Sequence, residues 1–258
     1  MISASVHPYS NVLNMETDVR LIMPDLNEDK RPLPCIYLCH GGSGDEDAWL
    51  YFGGIGELSD RYRTAFCLVN AQDSCFTDMA HGFPYASYIG KELPLIMRGL
   101  FSRLSGERKD TFICGLSNGG YGALLIGLAH PETFSAVGAF SAGDKADAAP
   151  KPFPEGTMDP RIRLFGQREI HGTDYSITHL ARTLAALEGP KPRIYHACGG
   201  KDPWLDMNLI VKETFESLAC PAYDYTYHQD ERYGHEWPFW HGELIRFLDW
   251  LSAPGRRV

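Results

Sequence analysis

The 258-residue sequence predicts an α/β protein whose central sheet is mostly parallel and has helices on both faces. Two observations carry this prediction. Short apolar runs such as Cys35–Cys39 and Ala65–Val69 are typical of strands that are buried on both faces. Helical segments alternate with these runs, and this alternation is typical of a parallel sheet. The length suits one large α/β domain, or at most two small ones.

The predicted strands are short apolar runs bounded by proline or by turn residues. Val19–Met23 follows an alternating segment and ends at Pro24, and Cys35–Cys39 begins after Pro34 and runs into a glycine loop. The set in chain order is Val19–Met23, Cys35–Cys39, Ala65–Val69, Thr111–Cys114, Ala136–Phe140, Arg193–Ala197 and Tyr223–Tyr227.

The predicted helices lie between these strands. Ala123–Ala129 is dense in apolar residues and stops before Pro131, as a buried helix should. Ser87–Leu100 contains Pro94, which we expect to act as a helix defect or as an early-turn residue. The set in chain order is Ile55–Tyr62, Ser87–Leu100, Ala123–Ala129, Tyr175–Leu187, Asn208–Leu218 and the amphipathic Leu244–Leu251.

Residues 144–190 are predicted to form a proline-rich loop or cap insertion within a single domain of residues 1–258. Residues 144–160 hold few large apolar residues and four prolines, which are Pro150, Pro152, Pro154 and Pro160. Strands and helices of the same kind resume after this stretch. It is therefore interpreted as an insertion and not as a linker between domains.

The charge balance limits the partners that we expect. Lys and Arg number 24 and Asp and Glu number 33, which gives a net charge of −9. A protein that binds the phosphate backbone is usually basic, so no nucleic-acid partner is expected. The same charge mildly disfavours strongly anionic substrates. No apolar run approaches the length of about 18 residues that a membrane-spanning helix needs, so no membrane partner is expected.

Seven cysteines, an odd number without a CxxC pair, indicate neither a disulfide framework nor a zinc ribbon. Four of them, Cys35, Cys39, Cys67 and Cys114, lie in apolar runs where a free thiol acts as a small hydrophobic side chain. The N-terminus has neither a basic start nor the apolar segment of a signal peptide. We therefore expect a reducing, cytoplasmic location.

The motif Gly115–Gly119 (GLSNG) matches G-x-S-x-G and carries the strongest chemical signal. It follows the predicted strand Thr111–Cys114 and opens the helix that ends near His130. This strand–turn–helix order is the setting of a nucleophile elbow, in which the serine hydroxyl is exposed at a helix N-terminus. Ser117 is therefore the candidate nucleophile.

A serine nucleophile needs a histidine base, and three histidines follow the last predicted strand. His235 lies in the loop before the final helix, where this chain order places the base. His228 is still at the end of the strand, and His241 is expected in the first turn of the final helix. His235 is the favoured base. The spacing of His235, Glu236 and His241 does not match the H-E-x-x-H pattern of a zinc site, so no metal is expected.

A carboxylate must orient the histidine, and Asp202 follows the predicted strand Arg193–Ala197 directly. From that loop it can reach a histidine in the loop after the next strand. Asp206 is a rival that more naturally belongs near the N-terminus of the following helix, as a cap or as a partner of the helix dipole, and Asp174 in the insertion is a weaker one. Asp202 is favoured.

An oxyanion hole is predicted at His40–Gly44 (HGGSG), which follows the strand Cys35–Cys39. The backbone amide of Gly42 is the expected donor from this loop, and the amide of Asn118 is the second donor. The ring of His40 is expected to bond to loop backbone and is given no catalytic role.

The motifs HGGSG, GLSNGGYGA, CGGKDPW and GHEWPFW together resemble those of the esterase D group of α/β-hydrolases, most closely bacterial tributyrin esterases and related feruloyl and acetylxylan esterases. The resemblance spans nearly the whole chain. It implies the α/β-hydrolase fold and a cofactor-free Ser–Asp–His esterase. Matched motif by motif, the triad falls on Ser117, Asp202 and His235, and the oxyanion hole on Gly42 and Asn118. S-formylglutathione hydrolases of this group carry SGLTC in place of HGGSG, which argues against glutathione thioesters.

The expected function is therefore hydrolysis of short-chain acyl esters, a small-molecule substrate class. The alternative is feruloyl or acetylxylan esterase activity on esters derived from plant polysaccharides. A hypothesis from a different class of function is a non-catalytic binding protein on a hydrolase scaffold. Trp204 and Tyr121 are candidates for the substrate pocket, although aromatic residues also fill cores. The resemblance also makes a homo-oligomer an expectation.

Overall fold

The computed structural model describes residues 1–25, 29–148, 156–218 and 223–253. The strands of these residues are β1 (Ile2–Val6), β2 (Tyr9–Ser10), β3 (Met15–Glu16), β4 (Val19–Met23), β5 (Cys35–Cys39), β6 (Ala65–Val69), β7 (Thr111–Leu116), β8 (Ala136–Phe140), β9 (Arg193–Gly199) and β10 (Tyr225–Asp230). The α-helices are α1 (Ala48–Phe52), α2 (Ile55–Tyr62), α3 (Tyr85–Ser87), α4 (Leu93–Leu100), α5 (Asn118–Ala129), α6 (Pro160–Phe165), α7 (Ile177–Ala186), α8 (Leu205–Ser217) and α9 (Trp237–Ser252).

Eight of these strands form one sheet in the order β1-β4-β6-β5-β7-β8-β9-β10. The strands from β6 to β10 pair in parallel, whereas β4 runs antiparallel to both of its neighbours. Strands β2 and β3 form a separate antiparallel pair. The prediction of a mostly parallel sheet is confirmed.

The sheet is covered on both faces, and its central strands are apolar at almost every position. In β5 the side chains of Cys35, Tyr37 and Cys39 belong to one core cluster, and those of Ile36 and Leu38 belong to the other. Helices α4, α5, α7 and α8 pack in the first cluster, and α2 and α9 pack in the second. The cysteines in the strands are buried fillers, as predicted.

Helix α5 lies against the middle of the sheet and is the most buried helix of the structure's described part. Its residues Gly119 to Leu128 are all buried, and it contacts β7 and β8. A helix that is apolar on every side is typically buried, and the sequence of α5 carries almost no polar residue. This helix fixes the direction in which the turn before it points.

The predicted helix Ser87–Leu100 is interrupted. The chain is α-helical at Tyr85–Ser87, forms a π-type turn at Tyr88–Glu92 and returns to α-helix at Leu93. Pro94 has no N–H for the α-helical bond to the carbonyl four residues earlier, and the π-type turn lies directly before it.

The predicted insertion is only partly described, since Pro150, Pro152 and Pro154 lie outside the described residues. Pro160 begins the short helix α6. Helix α7 contacts α5 and buries Ile177 and Ala181 in the core, so this part of residues 144–190 belongs to the layer of helices on the sheet. Among the helices described, none combines the length and the apolar composition that crossing a membrane requires.

Candidate active site

Five neighbouring parallel strands end at the same edge of the sheet, and the loop after each contributes to one site. Strand β5 leads to Gly42, β7 to Ser117, β8 to Ser141, β9 to Asp202 and β10 to His235. Ligands of α/β sheets bind outside the carboxyl ends of the strands. The topology therefore brings together residues that are far apart in the sequence.

Ser117 is the single residue between β7 and α5. Its backbone angles are φ 54° and ψ −119°, a strained conformation that costs about 1–3 kcal/mol for a residue with a side chain. The flanking glycines make the sharp turn possible. A Cβ on Gly115 would lie 2.4 Å from the carbonyl oxygen of Gly119, and one on Gly119 would lie 2.3 Å from that of His40.

The hydroxyl of Ser117 begins a chain of hydrogen bonds. Its Oγ lies 3.0 Å from Nε2 of His235, and Nδ1 of His235 donates to Oδ2 of Asp202 over 2.8 Å. The Asp202 side chain is fully buried, whereas that of His235 is 19% exposed. This arrangement can take the serine proton during attack on a carbonyl and stabilise the imidazolium that forms.

Asp202 is surrounded by hydrogen-bond donors. Burial raises the pKa of its carboxyl, but bonds from His235, from the backbone N–H of Trp204 and from the Ser141 hydroxyl outweigh burial and hold the pKa below its usual range. The Ser141 hydroxyl in turn accepts from the indole N–H of Trp240 over 3.0 Å. The carboxylate therefore stays ionised, as an orienting acid must.

The imidazole of His235 is held between two indole rings. Trp204 and Trp240 each meet it nearly edge to face, with centroid distances of 4.5 and 4.8 Å. These contacts restrict the rotation of the ring. They keep Nε2 directed at Ser117.

The HGGSG loop packs over the elbow. The ring of His40 donates to the carbonyl of Gly41 and accepts from the N–H of Ala71, so both nitrogens bond to backbone, as the sequence indicated. A Cβ on Gly42 would lie 2.9 Å from the amide nitrogen of the Asn118 side chain. Asn118 is the first residue of α5, where backbone N–H groups have no partner within the helix and favour negative charge.

Ser117 opens into a cavity of about 850 Å³. Helix α6 supplies Leu164 and Phe165 to one wall, and Trp204 and Met207 form another part of the lining. The cavity is large enough for a ligand of many atoms and is mostly apolar, as small-molecule sites usually are.

The two candidates for the substrate pocket differ in position. Trp204 lines the cavity. Tyr121 is fully buried beneath it, does not line it, and donates its hydroxyl to the carbonyl of Tyr175 over 2.6 Å. It lies one helical turn after Ser117, on the side of α5 that packs in the core.

The rival residues lie elsewhere. His228 pairs with Glu243 over 3.0 Å, and Nδ1 of His241 lies 3.1 Å from the carbonyl oxygen of Gly53. Asp206 lies in the first turn of α8, the position of a partner of the helix dipole, whereas the N-cap residue is Trp204 and, among the described residues, no side chain caps this helix. Asp174 is exposed.

Sequence reasoning missed Ser141, Lys145 and Trp240. A usable signal existed for the first two, because both follow the predicted strand Ala136–Phe140 just as Ser117 follows its strand. Nothing in the pattern around Trp240 distinguishes it from a core residue. Among the described residues, no group of three or more His, Cys, Asp or Glu is arranged to hold a metal ion.

Comparisons with known proteins show which family the chain is similar to. The model of the Esterase family matches residues 10–251. An acetyl esterase from Caldicellulosiruptor saccharolyticus is 31% identical over 267 aligned residues, which cover 98% of each chain.

Two solved structures share the fold. A fluorophosphonate-binding serine hydrolase F from Staphylococcus aureus, solved with substrate bound, has a TM-score of 0.84 and 23% identity, covering 98% of both chains. A ferulic acid esterase has a TM-score of 0.79 and 21% identity, covering 97% of both chains. These similarities confirm the predicted α/β-hydrolase fold.

Proposed function

Because this chain belongs to the Esterase family and is a carboxylic ester hydrolase, we propose that it is a serine esterase acting on short-chain acyl esters through an acyl-enzyme. One observation carries the proposal: the unbroken hydrogen-bond chain from Ser117 through His235 to Asp202, with the serine on a strained elbow at the floor of a cavity.

The proposed reaction has two steps. The Oγ of Ser117 attacks the ester carbonyl carbon while Nε2 of His235 takes its proton, and the backbone amides of Gly42 and Asn118 donate to the oxyanion. The bond to the alcohol then breaks, and His235 protonates the leaving oxygen. His235 then takes a proton from a water molecule, whose oxygen bonds to the acyl carbon. The bond from that carbon to Oγ of Ser117 breaks, His235 returns the proton to Oγ, and the acid leaves. Asp202 stabilises the imidazolium in both steps.

A short acyl group is favoured by the similarity to an acetyl esterase. The second candidate is removal of feruloyl or acetyl groups from esters derived from plant polysaccharides. The observation that favours it is the cavity of about 850 Å³, which is much larger than an acetyl group needs. The similarity to a ferulic acid esterase agrees with this candidate.

Covalent labelling tests the nucleophile. A fluorophosphonate probe, followed by peptide mass spectrometry, is expected to modify Ser117 and to leave Ser141, which also lines the cavity, unmodified. Ser117→Ala is expected to lower kcat for 4-nitrophenyl butyrate by about 10⁴-fold or more, with an unchanged circular dichroism spectrum. Retained activity in Ser117→Ala would contradict the assignment of Ser117 as the nucleophile.

A substrate series separates the two candidates. Hydrolysis of 4-nitrophenyl esters from acetate to octanoate is compared with hydrolysis of methyl ferulate and acetylated xylo-oligosaccharides. The short-chain proposal expects the highest kcat/KM at acetate or butyrate. A higher kcat/KM on methyl ferulate or on the oligosaccharides would select the second candidate.

Location and assembly are part of the proposal too. Six cysteines of the described chain are free and buried, which supports a reducing, cytoplasmic location. The single-domain organisation and the homo-oligomer remain predictions. Light scattering coupled to gel filtration measures the assembly state.

A further inference from the structure

Five charged side chains line the same cavity as Ser117: the carboxylates Asp159 and Glu169, the cation Arg168, and two further cations, Lys145 and Arg161. Within the described residues, neither forms an ion pair with a carboxylate at 4.0 Å or less. Charged groups in a partly enclosed site normally have a partner of opposite charge. Two cations without one, beside a candidate nucleophile, point to a negative group on the ligand.

Among the described residues, the hydrogen bond and the ring contact of Lys145 are with neutral groups. Its Nζ donates to Oδ1 of Asn118 over 2.6 Å and lies 5.7 Å from the ring centre of Tyr121. The adjacent Asp144 does not neutralise it. That carboxylate is buried, and it accepts from the backbone of Ala146 and from Thr178 on the other side.

Arg161 has only part of its donor capacity in use. One terminal nitrogen donates to the carbonyl of Ala148 over 2.9 Å, and its buried Nε has no hydrogen-bond partner in the described part of the chain. A guanidinium has five N–H donors in a planar fork that fits a carboxylate.

Asp159 and Glu169 line the cavity together with Arg161, but Asp159 has another cationic partner and Glu169 is exposed. Asp159 caps α6 by accepting from the backbone N–H of Arg161, and it pairs with Arg168 over 2.8 Å. Glu169 is exposed and accepts from the backbone N–H of His171. Glu169 also lines the cavity, but its side chain is 75% exposed, so water screens its charge.

We propose that Lys145 and Arg161 bind an anionic group of the substrate, so that the enzyme prefers esters bearing a carboxylate over neutral esters of the same shape. This inference rests on the proposed function, because it names the substrate class of the same site. A hydrogen bond between charged groups is worth about twice a neutral one, so the preference in kcat/KM is expected to be about 10- to 100-fold.

The net charge of −9 gives the opposite expectation, namely that strongly anionic substrates are disfavoured. The two effects act over different distances. Charges spread over the surface are screened beyond about 8 Å at physiological ionic strength, whereas a bound carboxylate contacts the cavity cations directly. Local charge should therefore decide selectivity.

Two isosteric pairs of esters test the preference and locate the anion. Monoethyl succinate is compared with ethyl 4-methylpentanoate, which places the carboxylate on the acyl side. The acetate ester of 3-hydroxypropanoate is compared with 3-methylbutyl acetate, which places it on the alcohol side. Acid release is followed by pH-stat titration, and at least one pair is expected to show the preference.

Variants then assign the preference to the two side chains. Lys145→Met and Arg161→Met are each expected to lower the ratio of anionic to neutral kcat/KM towards one. Lys212→Met is the matched control, because it removes one positive charge from α8 outside the cavity and should leave the ratio unaltered.

Three results are distinguishable. Failure to hydrolyse any of the four esters counts against the proposed function. Hydrolysis without an anionic preference in either pair overturns the inference alone. In the third result, the rates on the anionic and neutral esters fall equally in both cavity variants, so the preference survives. This result also overturns the inference, and it assigns Lys145 and Arg161 to the support of Asn118 and α6.

Discussion

Two buried carboxylates of this protein each face a histidine, but only one of these pairs reaches the candidate nucleophile. Asp202 accepts from His235 over 2.8 Å, and Glu243 pairs with His228 over 3.0 Å. The carboxylate side chains are 0% and 3% exposed, so the two pairs are almost equal in burial and distance. Distance and burial therefore do not separate the two pairs.

The surroundings of the carboxylates differ. Asp202 has donors that hold its pKa below its usual range. Burial raises the pKa of Glu243, and the bonds from Tyr195 and His228 together with the nearby Arg246 do not overcome it. The comparison teaches that two acid–histidine pairs of nearly equal burial and length can differ in the donors around the carboxylate and in the group at the far ring nitrogen, and these two features distinguish the proposed catalytic pair.

Removing the charge of each carboxylate in turn should give the largest difference in kcat between the two pairs. Asp202→Asn is expected to lower kcat on 4-nitrophenyl butyrate by about 10⁴-fold, because the wrong histidine tautomer is then favoured. Glu243→Gln is expected to leave kcat within about threefold, since Glu243 lies outside the hydrogen-bond chain of Ser117. Steady-state kinetics on both variants measures the difference.

Stability must be checked beside these rates. Both variants should keep the circular dichroism spectrum of the parent protein, which makes a loss of kcat interpretable. If Glu243→Gln lost as much activity as Asp202→Asn while folded, the distinction between the pairs would be wrong.

The two carboxylates should also respond oppositely to pH. The pKa of Asp202 is lowered from 3.8, so its contribution to stability is present above that value and is lost as the pH falls through the folded-state pKa. The pKa of Glu243 is raised from 4.5, so its contribution is present below that value and is lost as the pH rises through the folded-state pKa.

Urea unfolding, followed by tryptophan fluorescence from pH 3 to 7.5, measures this response. The unfolding free energy of the parent minus that of Glu243→Gln should fall as the pH rises above 4.5, because only the parent carries a carboxyl that ionises at this position. The difference between the parent and Asp202→Asn should shrink only below pH 3.8. Parallel pH curves for the two differences would contradict the assigned directions.

Much of the fold was predictable because a buried strand is a short apolar run bounded by turn residues, which is visible in the sequence. Val19–Met23, Cys35–Cys39, Ala65–Val69 and Ala136–Phe140 have the predicted bounds, since each apolar run is closed by turn residues. The strand Ile2–Val6 was missed. It lies at the sheet edge with mostly exposed side chains, so it has no apolar run to detect.

The positions of the candidate triad residues could be predicted from the ends of the predicted strands. Ser117, Asp202 and His235 each follow a strand, and chain order assigned their roles. Lys145 was missed and Tyr121 was placed on the cavity, because a sequence pattern shows which element holds a residue but not where its side chain points. That direction is set by packing between distant segments, such as α5 against the sheet.

The smallest expected effect concerns Ser141, whose hydroxyl donates to Asp202 and accepts from Trp240. Ser141→Ala removes one donor, which is worth about 0.5–1.5 kcal/mol, so kcat should fall by about 3- to 10-fold with little change in KM. Trp240→Phe keeps an aromatic ring beside His235 but removes the indole donor, and it should cost less.

A double-mutant cycle separates positioning from a merely structural role for Ser141. Because the hydroxyl acts through the carboxylate of Asp202, adding Ser141→Ala to Asp202→Asn should lower kcat by less than twofold further. Independent action would instead multiply the two losses. A multiplicative result would show that Ser141 affects the rate without Asp202, and the carboxylate pair would then differ from Glu243 and His228 only by its access to Ser117.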